Sequence, residues 1–312
     1  MKVITENTVG SLSRSSVVTV GNFDGVHLGH KALINRCISL SQMEDDVSVV
    51  TFEPLPQTYF SPTRALARLN GPGQKLGLLE QSGVDLVWMM RFNQELAEMS
   101  AESFAKTVFA DTLAARTVVV GNDFRFGKER EGDLVMLKKL GSDLGFTVSA
   151  VADVEIDRIR VSSTVVREML ANGLFDLAQK FLGYRFVMRG EVIQGSHLGR
   201  TLGYPTANLK LEAEPSPLSG VFAVKTRVGE GKWLDAIASL GTRPVVAGDE
   251  FLVEVHIFDF SGDLYGSRLE VDFISKIRDE ENFDSMEQLV AQMKKDESTA
   301  REIHGQQNND EK

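Results

Sequence analysis

An α/β chain in two parts is what the sequence predicts: an N-terminal parallel sheet flanked by helices, then a C-terminal small antiparallel β-barrel with a closing helix. Three observations carry that expectation. The 312 residues exceed what one hydrophobic core usually organises. The first half alternates short apolar, β-branched runs with helical patterns, as βαβ units on a parallel sheet do. From about Tyr184 the pattern changes to short, evenly spaced strands separated by Gly, Pro and Asn, as in small barrels.

Strands are expected at residues 17–21, 47–52, 84–90, 117–121 and 146–151, with helices around 31–41, 101–113 and 133–140. In such a sheet the ligand crevice lies at the carboxyl ends of the strands. The helical stretch 174–182 and Gly183 close the first domain, giving residues 1–183 and 184–312. The second domain offers strands at 184–193, 220–227, 234–240, 250–258 and 268–273, with turn signals at Gly229-Glu230-Gly231-Lys232 and Ser261-Gly262-Asp263. An amphipathic helix over 285–303 follows, and the polar residues 305–312 are expected to fray. No internal repeat is visible.

Composition is that of a soluble protein, 42% hydrophobic and 25% charged. A formal net charge of -10 argues against a general nucleic-acid binder, which needs clustered cations to displace counterions from phosphate. The single cysteine, Cys37, excludes an intramolecular disulfide and a cysteine-rich zinc site, and fits the reducing cytoplasm. Residues 1–16 lack the pattern of a signal peptide, and no run is long enough to span a bilayer, so no membrane association is expected.

The most informative segment is Gly21-Asn22-Phe23-Asp24-Gly25-Val26-His27-Leu28-Gly29-His30, between a strand and a helix. Such a turn brings phosphates to a helix N-terminus, where unpaired N–H groups favour anions. His27 and His30, three residues apart, share one face and can donate hydrogen bonds to a triphosphate. For either histidine alone a polar helix-start residue or a satisfied core histidine is the favoured reading, and a zinc pair, the third option, lacks an obvious third ligand. The chain has neither a G-x-x-x-x-G-K-[ST] loop nor a G-x-G-x-x-G fingerprint.

The segment resembles the H-x-G-H signature of the nucleotidylyltransferase superfamily, which implies a Rossmann-like domain and direct attack on the α-phosphorus of ATP. Three further segments narrow the resemblance. Thr51-Phe52-Glu53-Pro54-Leu55-Pro56, Val120-Gly121-Asn122-Asp123-Phe124-Arg125-Phe126-Gly127 and Val161-Ser162-Ser163-Thr164-Val165-Val166-Arg167 occur in the order of the bacterial bifunctional riboflavin kinase/FAD synthetase family. With the C-terminal signatures below, the resemblance covers nearly the whole chain.

It implies that Gly21, Phe23, Asp24 and Gly29 surround nucleotide phosphates and that Asp123 lies near flavin or nucleotide. Ser163, Thr164 and Arg167 suit phosphate binding at a helix entry, with Arg160 as a second cation. On their own, these residues equally describe a helix cap with a solvated face.

Gly199-Arg200-Thr201-Leu202-Gly203-Tyr204-Pro205-Thr206-Ala207-Asn208 resembles the Pro-Thr-Ala-Asn motif of riboflavin kinase. Gly199 and Gly203 permit close approach to phosphate, while Thr206 and Asn208 offer hard oxygen donors suited to Mg²⁺. A plain turn fits the same composition. Glu254 matches the family's general base, and Arg243 is a weaker candidate for ligand contact; by strand pattern alone Glu254 is an outward-facing residue. Leu55, Phe222, Ser239 and Val245 depart from the family pattern.

The resemblance therefore implies riboflavin phosphorylation by ATP to FMN and ADP, then adenylylation of FMN by a second ATP to FAD and pyrophosphate; a monomer or weak homo-oligomer is expected. The alternatives are a chain retaining one activity, or a flavin-binding regulatory protein without turnover.

Overall fold

The computed structural model describes residues 1–5, 14–62, 66–195, 199, 202–212, 215–245 and 248–310, with the side chains of 242–250 and 307–310 outside the description. The chain divides into two compact units, Met1–Leu66 with Pro72–Ser163, and Ala67–Gly71 with Thr164–Lys312.

In the first unit, β1 (Lys2–Ile4), β2 (Ser16–Val20), β3 (Asp46–Glu53), β4 (Leu86–Arg91), β5 (Ala115–Gly121) and β6 (Thr147–Val151) form one parallel sheet in the order β1-β4-β3-β2-β5-β6. All five residues of β2 are buried because helices cover both faces of this central strand, which explains its unbroken apolar pattern. Val18 and Val20 enter the larger core with Phe104, Phe109 and Leu137, while Val17 packs near Cys37 of α1 (Leu28–Leu40) on the other face.

The remaining helices are α2 (Pro56–Phe60), α3 (Pro72–Gln81), α4 (Gln94–Glu98), α5 (Ala101–Phe104), which continues as a π-helix over Ala105–Thr112, and α6 (Leu134–Leu144). A two-stranded hairpin, β7 (Glu155–Ile156) with β8 (Ile159–Arg160), precedes α7 (Ser163–Ala171). From β2 the chain proceeds through β3 to β4 on one side, then crosses to β5 on the other. The crevice of such a sheet opens at this switch, beyond the carboxyl ends of β2 and β5.

The second unit holds α8 (Phe175–Leu182) and a closed six-stranded barrel in the order β10-β13-β12-β11-β14-β9. Its strands are β9 (Val187–Ile193), β10 (Ala207–Leu211), β11 (Gly220–Val228), β12 (Leu234–Val245), β13 (Gly248–Ile257) and β14 (Arg268–Arg278), followed by α9 (Met286–Asp310). Val253, Val255, Ala236, Ala238 and Leu240 are buried, as the alternation of β12 and β13 requires.

Two expectations need correction. No strand was expected between residues 193 and 220, yet β10 pairs antiparallel with both β9 and β13; neighbouring strands, not its turn-like Gly-Tyr-Pro approach, decide its state. Residues 305–310 were expected to fray, but α9 runs to Asp310. Each added residue of an anchored helix brings its own hydrogen bond, so elongation is far easier than nucleation.

Candidate active sites

The loop after β2 builds the first site. His27 caps α1, its Nδ1 accepting from the His30 backbone N–H at 3.3 Å. The two imidazoles stack with centroids 3.7 Å apart and planes 16° from parallel, and the Phe23 ring lies 4.8 Å from that of His30. Phe23 (φ 48°) and Val26 (φ 34°), with Gly25 (φ 85°), hold the turn in the left-handed region. That conformation is uncommon for side chains of this bulk, and such strain concentrates at functional sites.

Gly29 is required by its surroundings: a Cβ there would stand 3.1 Å from the His27 ring and 3.3 Å from the Val161 carbonyl. Nδ1 of His30 is buried without a hydrogen-bond partner. Burial, followed by the charges of His27 and Lys75, holds the His30 pKa well below its ordinary 6.5.

The other N-terminal residues singled out from the sequence fall into distinct settings. Asp24 is 1% exposed, and its carbonyl accepts from the Ser163 hydroxyl at 2.8 Å, so Ser163 is anchored to the turn. Gly21 donates its N–H to the Val50 carbonyl where the turn begins. Asp123 and Arg160 form an exposed pair at 2.6 Å, and Arg160 also reaches Asp153 at 3.0 Å.

Thr164 is exposed; Arg167 donates Nε to the Ala67 carbonyl at 2.6 Å. Phe126 belongs to the core with Phe124 stacked on it, so both pack. Leu55 is fully buried. No group of three His, Cys, Asp or Glu residues able to hold a metal occurs among the described residues, and thus no zinc cluster around His27 and His30.

An exposed aromatic group escaped the sequence reading. Tyr59 and Phe60, the latter 66% exposed, meet the Phe92 ring at 5.3 and 5.6 Å just beyond the carboxyl ends of β3 and β4. Consecutive aromatics on a helix of five residues cannot both face a core, which was the available signal.

The second site lies on the barrel. Glu254 faces away from the barrel interior, yet α9 roofs it, so the outward-facing position and the lined pocket are both realised. A cavity of about 320 Å³ is lined by Glu254, His256, Ser239 and Thr206 from the barrel and by Met293 and Glu297 from α9. A second cavity, about 670 Å³, is lined by Thr206, Asn208, Val255, Phe260 and Tyr265. Thr206 borders both.

Asn208 stands opposite Glu254 across β10 and β13, and Ser239 stands opposite Glu254 across β13 and β12. Cross-strand partners project from one face, so the three form a row. His256 Nδ1 is 2.8 Å from the Pro205 carbonyl and must donate to it, holding the chain just before Thr206. The Tyr204 pKa is raised by burial and then by its hydrogen bond to Glu297.

Gly199 accepts from the Leu202 and Tyr204 N–H groups at 3.1 and 2.8 Å, and a Cβ on it would overlap the Tyr204 carbonyl. Gly203 has φ +86°. Arg200 and Thr201 lie outside the described residues, as do the side chains of Arg243 and Val245. Phe222 is 1% exposed among Phe175 and Phe273.

Comparison with known proteins bears on both sites. A family model for FAD synthetase matches residues 10–165, and one for riboflavin kinase matches residues 182–304. The bifunctional riboflavin kinase/FMN adenylyltransferase of Escherichia coli K12 is 41% identical over 290 residues, 93% of each chain. The chain belongs to this bifunctional family.

Its members from Haemophilus influenzae and Pseudomonas fluorescens are 40% identical over 288 residues and 42% over 292 residues, covering 91 and 93% of this chain and 92 and 93% of theirs. A crystal structure described as a macrolide-efflux protein from Streptococcus pneumoniae matches 96% of this chain and 99% of that one, at TM-score 0.79 and 31% identity. Among the described residues no helix is long and apolar enough to cross a membrane. The two histidines thus fall in the FAD synthetase part of the family, and Thr206, Asn208 and Glu254 in its riboflavin kinase part.

Proposed function

We propose that this chain makes FMN from riboflavin on its barrel and FAD from FMN at its histidine turn, each step consuming one ATP. The observation that carries the reading is the position of Thr206 between two cavities, with Asn208 and Glu254 in one cross-strand row beside it. Riboflavin occupies the cavity under α9 and ATP the larger one. Glu254 accepts the proton of the ribityl 5′-hydroxyl as its oxygen bonds to the γ-phosphorus and ADP departs.

Thr206 and Asn208 are neutral oxygen donors, which suits a cation that keeps water and phosphate oxygens as its main ligands, as Mg²⁺ does. When bound there, Mg²⁺ would supply charge neutralisation on the phosphates. Gly199 and Gly203 shape the loop beside them, and Arg243 stands on β12 as a weaker phosphate contact.

In the first unit the FMN phosphate attacks the α-phosphorus of ATP, forming the P–O–P link of FAD and releasing pyrophosphate. His27 and His30 donate to the phosphate oxygens, and the helix start at Leu28 adds its free N–H groups. Gly21, Phe23, Asp24 and Gly29 hold the turn. Ser163 and the Asp123–Arg160 pair form the remaining phosphate and nucleotide contacts of this unit, Thr164 and Arg167 are assigned to phosphate by the family resemblance alone, and the exposed Phe60 stacks on the isoalloxazine ring.

Functionally the division falls at 1–183 and 184–312, with the riboflavin kinase match beginning at residue 182 in support. The enzyme works in the cytoplasm as a monomer or weak homo-oligomer, without nucleic acid or membrane. Its lone cysteine, buried with its thiol pKa pushed up to about 12, suits a reducing compartment.

The test is chromatographic separation of riboflavin, FMN and FAD over time in the presence of ATP and Mg²⁺. FMN then FAD is expected from the wild type. His30→Ala should stop at FMN, and Glu254→Ala should make FAD only from supplied FMN. Parallel loss of both steps in either variant defeats the assignment of separate sites.

A further inference from the structure

Lys75 on α3 is 0% exposed. An ammonium is among the groups least often enclosed in a protein, and one that is enclosed needs partners. Its Nζ donates to the Asn22 carbonyl at 3.0 Å and to Thr51 Oγ1 at 3.4 Å, and the Thr51 hydroxyl donates to the same carbonyl at 3.0 Å. Asn22 opens the turn that carries Phe23, Gly25 and Val26 through left-handed conformations and delivers His27 to the start of α1. Ser163 grips the Asp24 carbonyl further along. The strained turn is therefore held at its entrance by a buried cation and at its middle by a hydroxyl.

We propose that Lys75 is a positioning residue for adenylyl transfer: its buried ammonium fixes the turn from Asn22 to His27 and places positive charge behind His30, so that His30 meets the triphosphate as a neutral Nε2–H donor. The proposal rests on the assignment of FAD formation to the histidine turn. The buried, unpartnered Nδ1 of His30 supports the tautomer, because a bare lone pair is tolerated there better than an orphaned N–H.

The charged and titratable groups acting on His30 are His27 from the start of its own helix and Lys75 from α3, with the Phe23 ring beside it and buried Asp24 in the same turn. Burial acts first, and the neighbouring His27 and the Lys75 ammonium act in the same direction, against protonation. Lysine suits this task because its compact ammonium sits on a long apolar stem that packs within the core.

The test uses the full chain. Lys75→Met keeps the stem and removes the charge. Its kcat/KM for FMN adenylylation should fall at least about tenfold, and the acid limb of the pH profile should move up, because His30 protonates more easily without the neighbouring cation. The His30 ring signal, titrated by NMR, should move the same way, while riboflavin phosphorylation stays at the wild-type rate.

Activity lost with an unmoved acid limb and an unmoved His30 titration would reduce Lys75 to a purely structural role and overturn the proposal, as would wild-type activity. If His30→Ala itself still made FAD, the site assignment would fall and Lys75 with it. A dead His30→Ala beside a wild-type profile for Lys75→Met would overturn the Lys75 proposal alone. Should Lys75→Met not fold, Thr51→Val removes one hydroxyl from the Asn22 carbonyl and leaves the ammonium in place. It should slow FAD formation several-fold with the acid limb unshifted, and a wild-type rate there would overturn the positioning role.

Discussion

Asp296→Ala tests how α9 is held over the cavity beside Glu254. Asp296 is 4% exposed and accepts from Arg278 Nε at 3.1 and 3.0 Å, from Arg278 Nη2 at 2.9 Å and from Gln292 Nε2 at 2.8 Å. Truncation strands the Arg278 guanidinium, whose side chain is 17% exposed. Removing one partner of a buried pair costs about 3–5 kcal/mol. Arg278 keeps its Nη1 bond to the Asp279 carbonyl at 2.9 Å and its place over the Phe283 ring at 5.7 Å, which puts the expected loss at the lower end.

For a folding unit of this size, about 3 kcal/mol corresponds to a drop of about 9 °C in the melting temperature. Calorimetry of the full chain measures it, and hydrogen exchange of the α9 amides locates it. Because Asp296 lies in the cavity wall beside Met293 and Glu297, the riboflavin KM should also rise while FMN adenylylation is unchanged. Arg278→Met combined with Asp296→Leu removes the stranded charge and should recover most of the stability. A single variant melting within about 1 °C of wild type, where about 9 °C is expected, would refute the clamp.

Glu254→Gln should lower FMN formation by about 10²–10⁴-fold, the usual worth of a general base, and leave FMN adenylylation intact in the same assay. Gly29→Ala should slow FAD formation by more than about tenfold, since its methyl would press on both the His27 ring and the Val161 carbonyl; a wild-type rate would mean the histidine stack can shift freely. Phe60→Ala should raise the KM for FMN in adenylylation about tenfold, as loss of one aromatic stacking surface predicts, without altering riboflavin phosphorylation.

Asp45 is hydrogen-bonded by Arg116, which holds its pKa at about 2 against an ordinary 3.8. Its stabilisation is complete above the ordinary carboxylate value and is lost as pH falls through about 2. Asp45→Asn should therefore destabilise at neutral pH, with the difference from wild type closing near pH 2 in denaturant titrations.

Most of the first unit could be read in sequence because its signals are local. Four of the six sheet strands carry the apolar runs that a buried parallel strand needs, and the edge strand β6 alternates polar and apolar residues, whereas the other edge strand, β1, three residues long, offers no periodicity to detect. The histidine pair was found by spacing. The stacking of the rings, the unpartnered Nδ1 and the strained Phe23 and Val26 were not, because each depends on how β2, α1 and the Val161 segment converge. Lys75 was overlooked for the same reason: a lysine in a short helix ordinarily reads as solvated, and only the placement of Asn22 and Thr51 encloses it. Tyr59 and Phe60 were visible as letters but not as an exposed rim.

The sequence by itself determined the two-part α/β architecture, the family and the residue types that handle phosphate, since these rest on strand and helix periodicity and on short motifs whose chemistry is carried by a few adjacent side chains. Tertiary structure alone decided the pairing that makes β10 a strand, the row of Asn208, Glu254 and Ser239, and the roof that α9 forms over Glu254. Those features arise from hydrogen bonds and packing between segments far apart in the chain, and a local pattern holds no record of which distant segment will supply the partner.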